Sequence, residues 1–99
     1  MNLKENQYFG ITTDSLRTEN FTISITNHSA NSKISLHSHD KPYLCLLASG
    51  SYKEESNTSD IISQGEVLYR VANYEHSNSF SDKGGLCLNI EIYRILDNL

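Results

Sequence analysis

The sequence has no apolar run long enough to span a membrane, and it has no excess of basic residues. Its eight basic residues are scattered over 99 positions, twelve acidic residues outnumber them, and the formal net charge is −4. Proteins that hold DNA or RNA usually carry a basic patch or stripe. We therefore expect no membrane insertion and no direct nucleic-acid binding by this chain alone.

Cysteine is scarce, and the amino terminus lacks the apolar stretch that a secretory signal needs. These two absences predict a cytoplasmic protein in which Cys45 and Cys87 are reduced thiols and do not form a disulfide. Neither cysteine belongs to a CxxC pair or to a Cys/His ligand spacing. We therefore interpret both as small buried hydrophobes.

Length and composition indicate one globular domain. The chain has 37% apolar and 20% charged residues, which is ordinary for a folded protein of this size. We assign residues 1–99 to a single domain and interpret residues 1–15 as a loose arm or an extra strand. Because a small β-domain has exposed sheet edges and a high surface-to-volume ratio, we also expect a homodimer.

Apolar residues recur at every second position over most of the chain. This alternation covers residues 21–26, 33–37 and 86–93, whereas residues 43–48 and 67–71 have apolar residues on both faces. Successive side chains of a strand point to opposite faces, so alternation predicts half-buried strands. Segments with apolar residues on both faces predict central strands.

Polar breaks separate these strands. We interpret residues 54–60 as a hairpin loop and residues 82–85, which contain Gly84 and Gly85, as a tight connection. Seven or so short strands divided by such breaks predict an all-β sandwich or barrel.

Two histidines stand two positions apart in one predicted strand. His37 and His39 share a strand face, because residues i and i+2 point the same way, and Lys33 and Ser35 precede them on that face. A polar face directed into a barrel predicts a lined cavity. Two neutral imidazoles at this spacing can bind one metal, and His76 from a neighbouring strand would complete three nitrogen donors.

Other interpretations of the same residues stay open. Histidines at the end of a barrel also hydrogen-bond turns and strand ends without a metal. Tyr43 either ligates through its phenolate, which its ordinary pKa near 10 disfavours, or hydrogen-bonds a histidine or a ligand. Tyr43 and Tyr69 belong to an aromatic set that lines a ligand cavity or packs between strands. We interpret His28 as a surface residue and Glu75 and Glu91 as solvated carboxylates.

The spacing of these residues resembles the two motifs of the cupin superfamily. The first motif joins HxH to a glutamate and a glycine, and the second runs from a glycine to a third histidine. The matching residues are His37, His39, Gly50, Gly65 and His76. Tyr43 stands at the position of the glutamate, so three of the four expected metal ligands are present.

The resemblance implies an all-β cupin fold, a double-stranded β-helix or jelly-roll barrel, in a single domain. It also implies a site for one divalent transition metal, such as Fe, Mn, Ni or Zn. The candidate metal ligands are His37, His39, His76 and Tyr43, and the candidate ligand-binding residues are Tyr43, Tyr69 and His76.

Residues 30–93 further resemble the amino-terminal sensing domain of arabinose-type (AraC-like) transcription regulators, without the helix-turn-helix domain of those proteins. This resemblance implies a small-molecule sensor related to the regulation of transcription, with its ligand in the barrel mouth near the three histidines. The alternative is a small metal-dependent enzyme of the oxygenase or isomerase type. A third interpretation is a dimerisation unit with a vestigial site.

Overall fold

A computed structural model describes residues 1–4 and 9–94 of the chain and places most of them in eight β-strands. The strands are β1 (Asn2–Leu3), β2 (Ile11–Arg17), β3 (Phe21–His28), β4 (Lys33–His39), β5 (Tyr43–Glu55), β6 (Ser59–Ser63), β7 (Val67–Arg70) and β8 (His76–Ile92). These residues include no helix that is long and apolar enough to cross a membrane. The all-β prediction is confirmed.

Strand β8 is the centre of the sheet. Its first residues pair with β4, its last residues pair with β3, and β5 pairs with it along most of its length. Strands β6 and β7 extend the sheet from β5, β2 lies beside β3, and β1 runs parallel to β4. Because one strand pairs with three others, the sheet curls around an interior, and this interior holds the site described below.

The connection predicted at residues 82–85 is wrong, because β8 runs through these residues without a break. Gly84 has a φ of +67° and Gly50 a φ of +85°, and the pairing of β5 with β8 shifts register beside Gly50. Glycine tolerates positive φ, so these residues make an irregularity within paired strands instead of a turn between them. The bend lets β8 follow the curved wall of the barrel.

The interior of the barrel is partly polar. In β3, Thr22, Ser24 and Thr26 are buried, whereas the isoleucines between them are only half-buried. Cys87, Asn89 and Glu91 are likewise buried at alternate positions near the end of β8. The alternation with a period of two is therefore present in β3 and β8, but the polar residues of the alternation face inward. The prediction that Glu91 is solvated is wrong.

Strand β7 is not a central strand, although residues 67–71 are apolar on both faces. Among the described residues β7 pairs only with β5, and Val67 and Val71 are exposed. The buried apolar cluster instead combines Ile34, Tyr43, Cys45, Leu47, Tyr52, Ile62, Phe80 and Cys87. Cys45 and Cys87 are free and buried, in agreement with the prediction from sequence.

Candidate metal centre

Strands β4 and β8 bring the three candidate histidines together inside the barrel. His37 is the direct register partner of His76, and His39 follows two positions later on β4. One ring nitrogen from each histidine can be chosen so that all three lie within 4.8 Å of one another. His37 and His76 are only 3% and 1% exposed, so the donors converge in a space largely closed to solvent.

A β-bulge in β4 decides which residues share the histidine face. The register with β8 shifts between Ile34 and His37, and both of these residues are buried. Lys33 and Ser35 are exposed, so the prediction that they share a face with His37 is wrong. The bulge inserts one extra residue, which reverses the alternation and leaves Leu36 outside.

Backbone carbonyls orient two of the rings. Nδ1 of His37 lies 2.8 Å from the carbonyl oxygen of Ser35, and Nδ1 of His76 lies 3.0 Å from that of Tyr74. A carbonyl oxygen only accepts hydrogen bonds, so Nδ1 carries the proton in both rings and the lone pair is on Nε2. Metal-bound histidines commonly have this arrangement, and the donor set therefore fits a metal.

Burial keeps these rings neutral at neutral pH. It lowers the pKa of His37 to about 4 and that of His39 to about 3, and it also lowers the pKa of His76. A buried imidazolium loses hydration that the neutral ring needs far less, which is the cause of these shifts. Neutral rings offer lone pairs to a cation without first losing a proton.

Tyr43 is in the site and Tyr69 is not. The Tyr43 hydroxyl lies 3.2 Å from Nε2 of His76 and donates to it, since that nitrogen carries no proton. Burial raises the pKa of Tyr43, so the phenol stays protonated. Tyr69 pairs with Leu44 on the outer face and is half exposed, away from the three histidines.

Glu54 lies in the site, although sequence reasoning did not place it there. The sequence places it in a polar loop, but β5 continues through it, and its side chain is 3% exposed. Its Oε2 accepts hydrogen bonds from Nε of Arg70 at 2.9 Å and from Nη2 of the same residue. Its Oε1 lies 4.0 Å from Nε2 of His76. Side chains two positions apart share a strand face, so Tyr52 would have indicated this inward position only if the strand were known to continue through Glu54.

The space beside these residues is a small cavity of about 50 Å³. A single buried water needs roughly 10–15 Å³, and pockets for drug-sized ligands measure about 300–1,000 Å³. The cavity therefore has room for an ion and a few ligand atoms. His28 also lines it, stacked on Phe80 with ring centroids 4.3 Å apart, so the interpretation of His28 as a surface residue is wrong.

Comparison with sequence models of known families gives no match, and comparison with curated proteins gives none. Solved structures do match. KdgF from Halomonas sp. is similar over 87% of this chain and 81% of its own, with a TM-score of 0.72 and 13% identity. A cupin domain from Bordetella pertussis Tohama I is similar over 85% of this chain and 93% of its own, with a TM-score of 0.70 and 19% identity.

The protein has the cupin fold. A variant of oxalate decarboxylase from Bacillus subtilis is similar over 76% of this chain and 22% of its own, with a TM-score of 0.68 and 17% identity. At such identities the likeness establishes the fold alone. The predicted jelly-roll barrel is confirmed, whereas the narrower resemblance to AraC-like regulators stays a prediction.

Proposed function

We propose that this protein is a metal-binding cupin domain whose three-histidine centre holds one divalent transition metal and presents it to a small ligand. The observation that carries the proposal is the convergence of three ring nitrogens, from His37, His39 and His76, within 4.8 Å. Two donors at 2.1 Å from one ion are at most about 4.2 Å apart, so only a small closing of the rings is needed. A metal bound there supplies a Lewis acid and orients its ligand.

The size of the cavity supports metal-dependent chemistry on a ligand of a few atoms. Three histidines leave coordination positions open for water, oxygen or a small substrate. A cavity of about 50 Å³ does not hold an organic effector of sugar size without rearrangement. The enzyme interpretation therefore gains over the sensor interpretation.

Sensing of an organic ligand is the second candidate function, and a cleft outside the barrel supports it. This open cleft measures about 620 Å³ and is lined by Leu36, Tyr74, Glu55 and Glu75 among others. The Tyr74 ring also stacks on His76, with centroids 5.7 Å apart, so an occupant of the cleft would touch a wall of the metal site. Organic ligands that raise the melting temperature of the metal-free protein would favour this candidate.

Metal titration tests the proposed function. We expect the chain, purified without added metal and treated with chelator, to bind one equivalent of Co²⁺ or Zn²⁺. The His39→Gln variant removes one donor and should weaken binding by at least roughly 100-fold, since losing a mere supporting group already costs 10- to 100-fold. The measurement is a competition titration followed by absorption of the Co²⁺ complex.

His28→Gln is the matched control, because His28 lines the same cavity but lies outside the three-histidine group. It should bind metal as the unaltered protein does, with the circular dichroism of both variants confirming the fold. The proposal fails if the unaltered protein binds no divalent transition metal, or if both histidine variants bind equally well.

A further inference from the structure

The fourth position of the metal centre is not decided by the three histidines. Two oxygen-bearing side chains approach the same nitrogen, Nε2 of His76. The Tyr43 hydroxyl lies 3.2 Å from it, and Oε1 of Glu54 lies 4.0 Å from it. Each group has a different consequence for a metal, because one donates a hydrogen bond and the other carries negative charge.

The Tyr43 hydroxyl competes with a metal for His76. Its hydrogen bond occupies the lone pair that His76 would give to the ion, because Nδ1 of the same ring is bound to the carbonyl of Tyr74. A metal must therefore displace this hydrogen bond.

Glu54 has the properties of a ligand. Carboxylate oxygens bind Zn²⁺ and other divalent metals at about 2.0–2.2 Å. Arg70 pairs with Oε2 and compensates the buried negative charge, while Oε1 faces the histidines. The side chain is 3% exposed, so its position inside the barrel is set by β5 and not by solvent.

We propose that Glu54 supplies the fourth, carboxylate ligand of the metal centre and that Tyr43 acts as a competing hydrogen-bond donor. The inference rests on the proposed three-histidine site. It assigns the carboxylate to β5, eleven positions beyond the residue that the motif resemblance aligns with the family glutamate.

Two pairs of variants test this assignment by metal affinity and by the absorption spectrum of bound Co²⁺. Glu54→Gln keeps an acceptor for Arg70 but loses the charge, and it should weaken binding by at least roughly 10-fold and change the Co²⁺ spectrum. Its control is Glu55→Gln on the exposed side of the same strand. Glu54→Asp keeps the charge but draws the carboxylate back, and it should weaken binding too.

The second pair concerns the competing hydroxyl. Tyr43→Phe should bind metal roughly 2- to 12-fold more tightly, because a hydrogen bond worth about 0.5–1.5 kcal/mol no longer needs to be displaced. Tyr52→Phe, which lines the same cavity, is the control and should leave the affinity unchanged.

The outcomes separate the two proposals. Binding by Glu54→Gln that equals the unaltered protein, with the same Co²⁺ spectrum, overturns Glu54 as a ligand. Weaker binding by Tyr43→Phe, with loss of a phenolate absorption band, would instead make Tyr43 the ligand. If the unaltered chain binds no metal, the proposed function fails and this inference fails with it.

A separate observation concerns the outer face of the barrel. The strand register aligns two rows of side chains across five neighbouring strands, β2, β3, β8, β5 and β7. The first row is Leu16, Ile23, Ile90, Leu44 and Tyr69. The second row is Asp14, Ile25, Leu88, Leu46 and Val67. We call these ten residues the outer apolar face.

No element among residues 1–4 and 9–94 covers this face. Leu16 is 60% exposed and Val67 is 61% exposed, and both lie at its edges. Five strands at about 4.8 Å spacing span about 24 Å, and residues 86–92 span about 20 Å along β8. The projected area of about 500 Å² lies at the upper end of the largest apolar patches on monomers, and its accessible surface is larger.

We infer that a second copy of this chain covers the outer apolar face. Two aliphatic sheet faces can pack on each other, and a two-fold dimer uses the same patch on both subunits. Asp14 is the one charged residue in the ten, so the face offers little to a charged partner. Because side chains protrude from the sheet, the accessible surface of this face exceeds its projected area of about 500 Å². It approaches the roughly 800 Å² that each subunit buries in a stable interface.

Sedimentation and light scattering test the dimer. We expect the unaltered protein to have twice its chain mass of 11.2 kDa at micromolar concentration. Leu88→Lys places a charge in the middle of the face and should raise the dissociation constant at least roughly 100-fold, while metal affinity stays the same. Ile61→Lys, at an exposed position on β6 outside the face, is the control and should remain dimeric.

A monomeric unaltered protein at about 100 µM overturns the inference. So does a Leu88→Lys variant that is folded and still dimeric.

Discussion

At the scale of the residue, the candidate centre depends on short-range hydrogen bonds between two histidine rings and the backbone. His37 and His76 each direct Nδ1 to the carbonyl two residues earlier, at Ser35 and Tyr74. This leaves Nε2 of both rings facing the interior. Both rings are almost fully buried, which makes their ionisation costly.

Acid should therefore destabilise the metal-free protein before its carboxylates titrate. Burial lowers the pKa of His37 to about 4 and of His39 to about 3, whereas the unfolded chain has a histidine pKa near 6.5. Between these values only the unfolded chain binds the protons, so stability falls as pH falls. We expect the free energy of unfolding to drop by about 1 kcal/mol or more between pH 7.5 and pH 5.5.

Urea unfolding at the two pH values, in the presence of chelator, measures this drop. The His39→Gln variant should show a smaller drop, since it removes one of the contributing groups. Equal stability of the metal-free protein at both pH values would contradict the prediction.

At the scale of the element, glycines allow β5 and β8 to remain paired through a bend. Gly50 faces Gly85 across the two strands. A Cβ on Gly50 would lie 2.0 Å from the backbone oxygen of Gly84, which is far inside contact distance. Gly65 also has positive φ, at +90°, but no atom lies within 4 Å of the Cβ that would be added there. Alanine at either position would have an unfavourable positive φ, but only at Gly50 would its Cβ also collide with the backbone.

Substitution by alanine should separate these two strains. Gly65→Ala adds only the backbone penalty for positive φ and should cost about 1–2 kcal/mol of stability. Gly50→Ala adds the collision with Gly84 and should cost at least about 2 kcal/mol more, or prevent folding. Urea midpoints of the two variants measure the difference, and equal midpoints would show that the strands separate at little cost.

At the scale of the whole molecule, the barrel is polar within and apolar over a large part of its outside. Thr22, Ser24 and Thr26 are buried in β3, while the isoleucines of the same strand belong to the outer apolar face. A small domain with this distribution has a limited apolar core. Burial of the outer face against a second copy would therefore add hydrophobic stabilisation that the single chain lacks.

The candidate metal centre and the outer apolar face occupy opposite sides of the same strands. His76 and Leu88 both belong to β8, one inside the barrel and one outside. The two proposals are independent for this reason. A variant on one side of the strands should leave the property of the other side unchanged, and it therefore serves as a control for that property.

The sequence by itself determined the fold class and the identity of the three histidines. Alternation with a period of two is a local property, and the spacing of His37, His39 and His76 within their strands resembles the cupin motifs closely enough to predict the barrel. It could not show the inward position of Glu54, because a run of polar residues after Gly50 looks like a loop unless the partner strand is known.

The tertiary structure decided which face of each strand turns inward and which distant residues meet. The bulge in β4 moves His37 to the side of Ile34, and the sheet closure places Glu54 beside His76. Tyr69, which the sequence grouped with the site, lies outside because its register partner on β5 is Leu44 and not the inward-facing Tyr43. Local patterns specify that faces alternate, but only the closing of the sheet selects the face that becomes the interior.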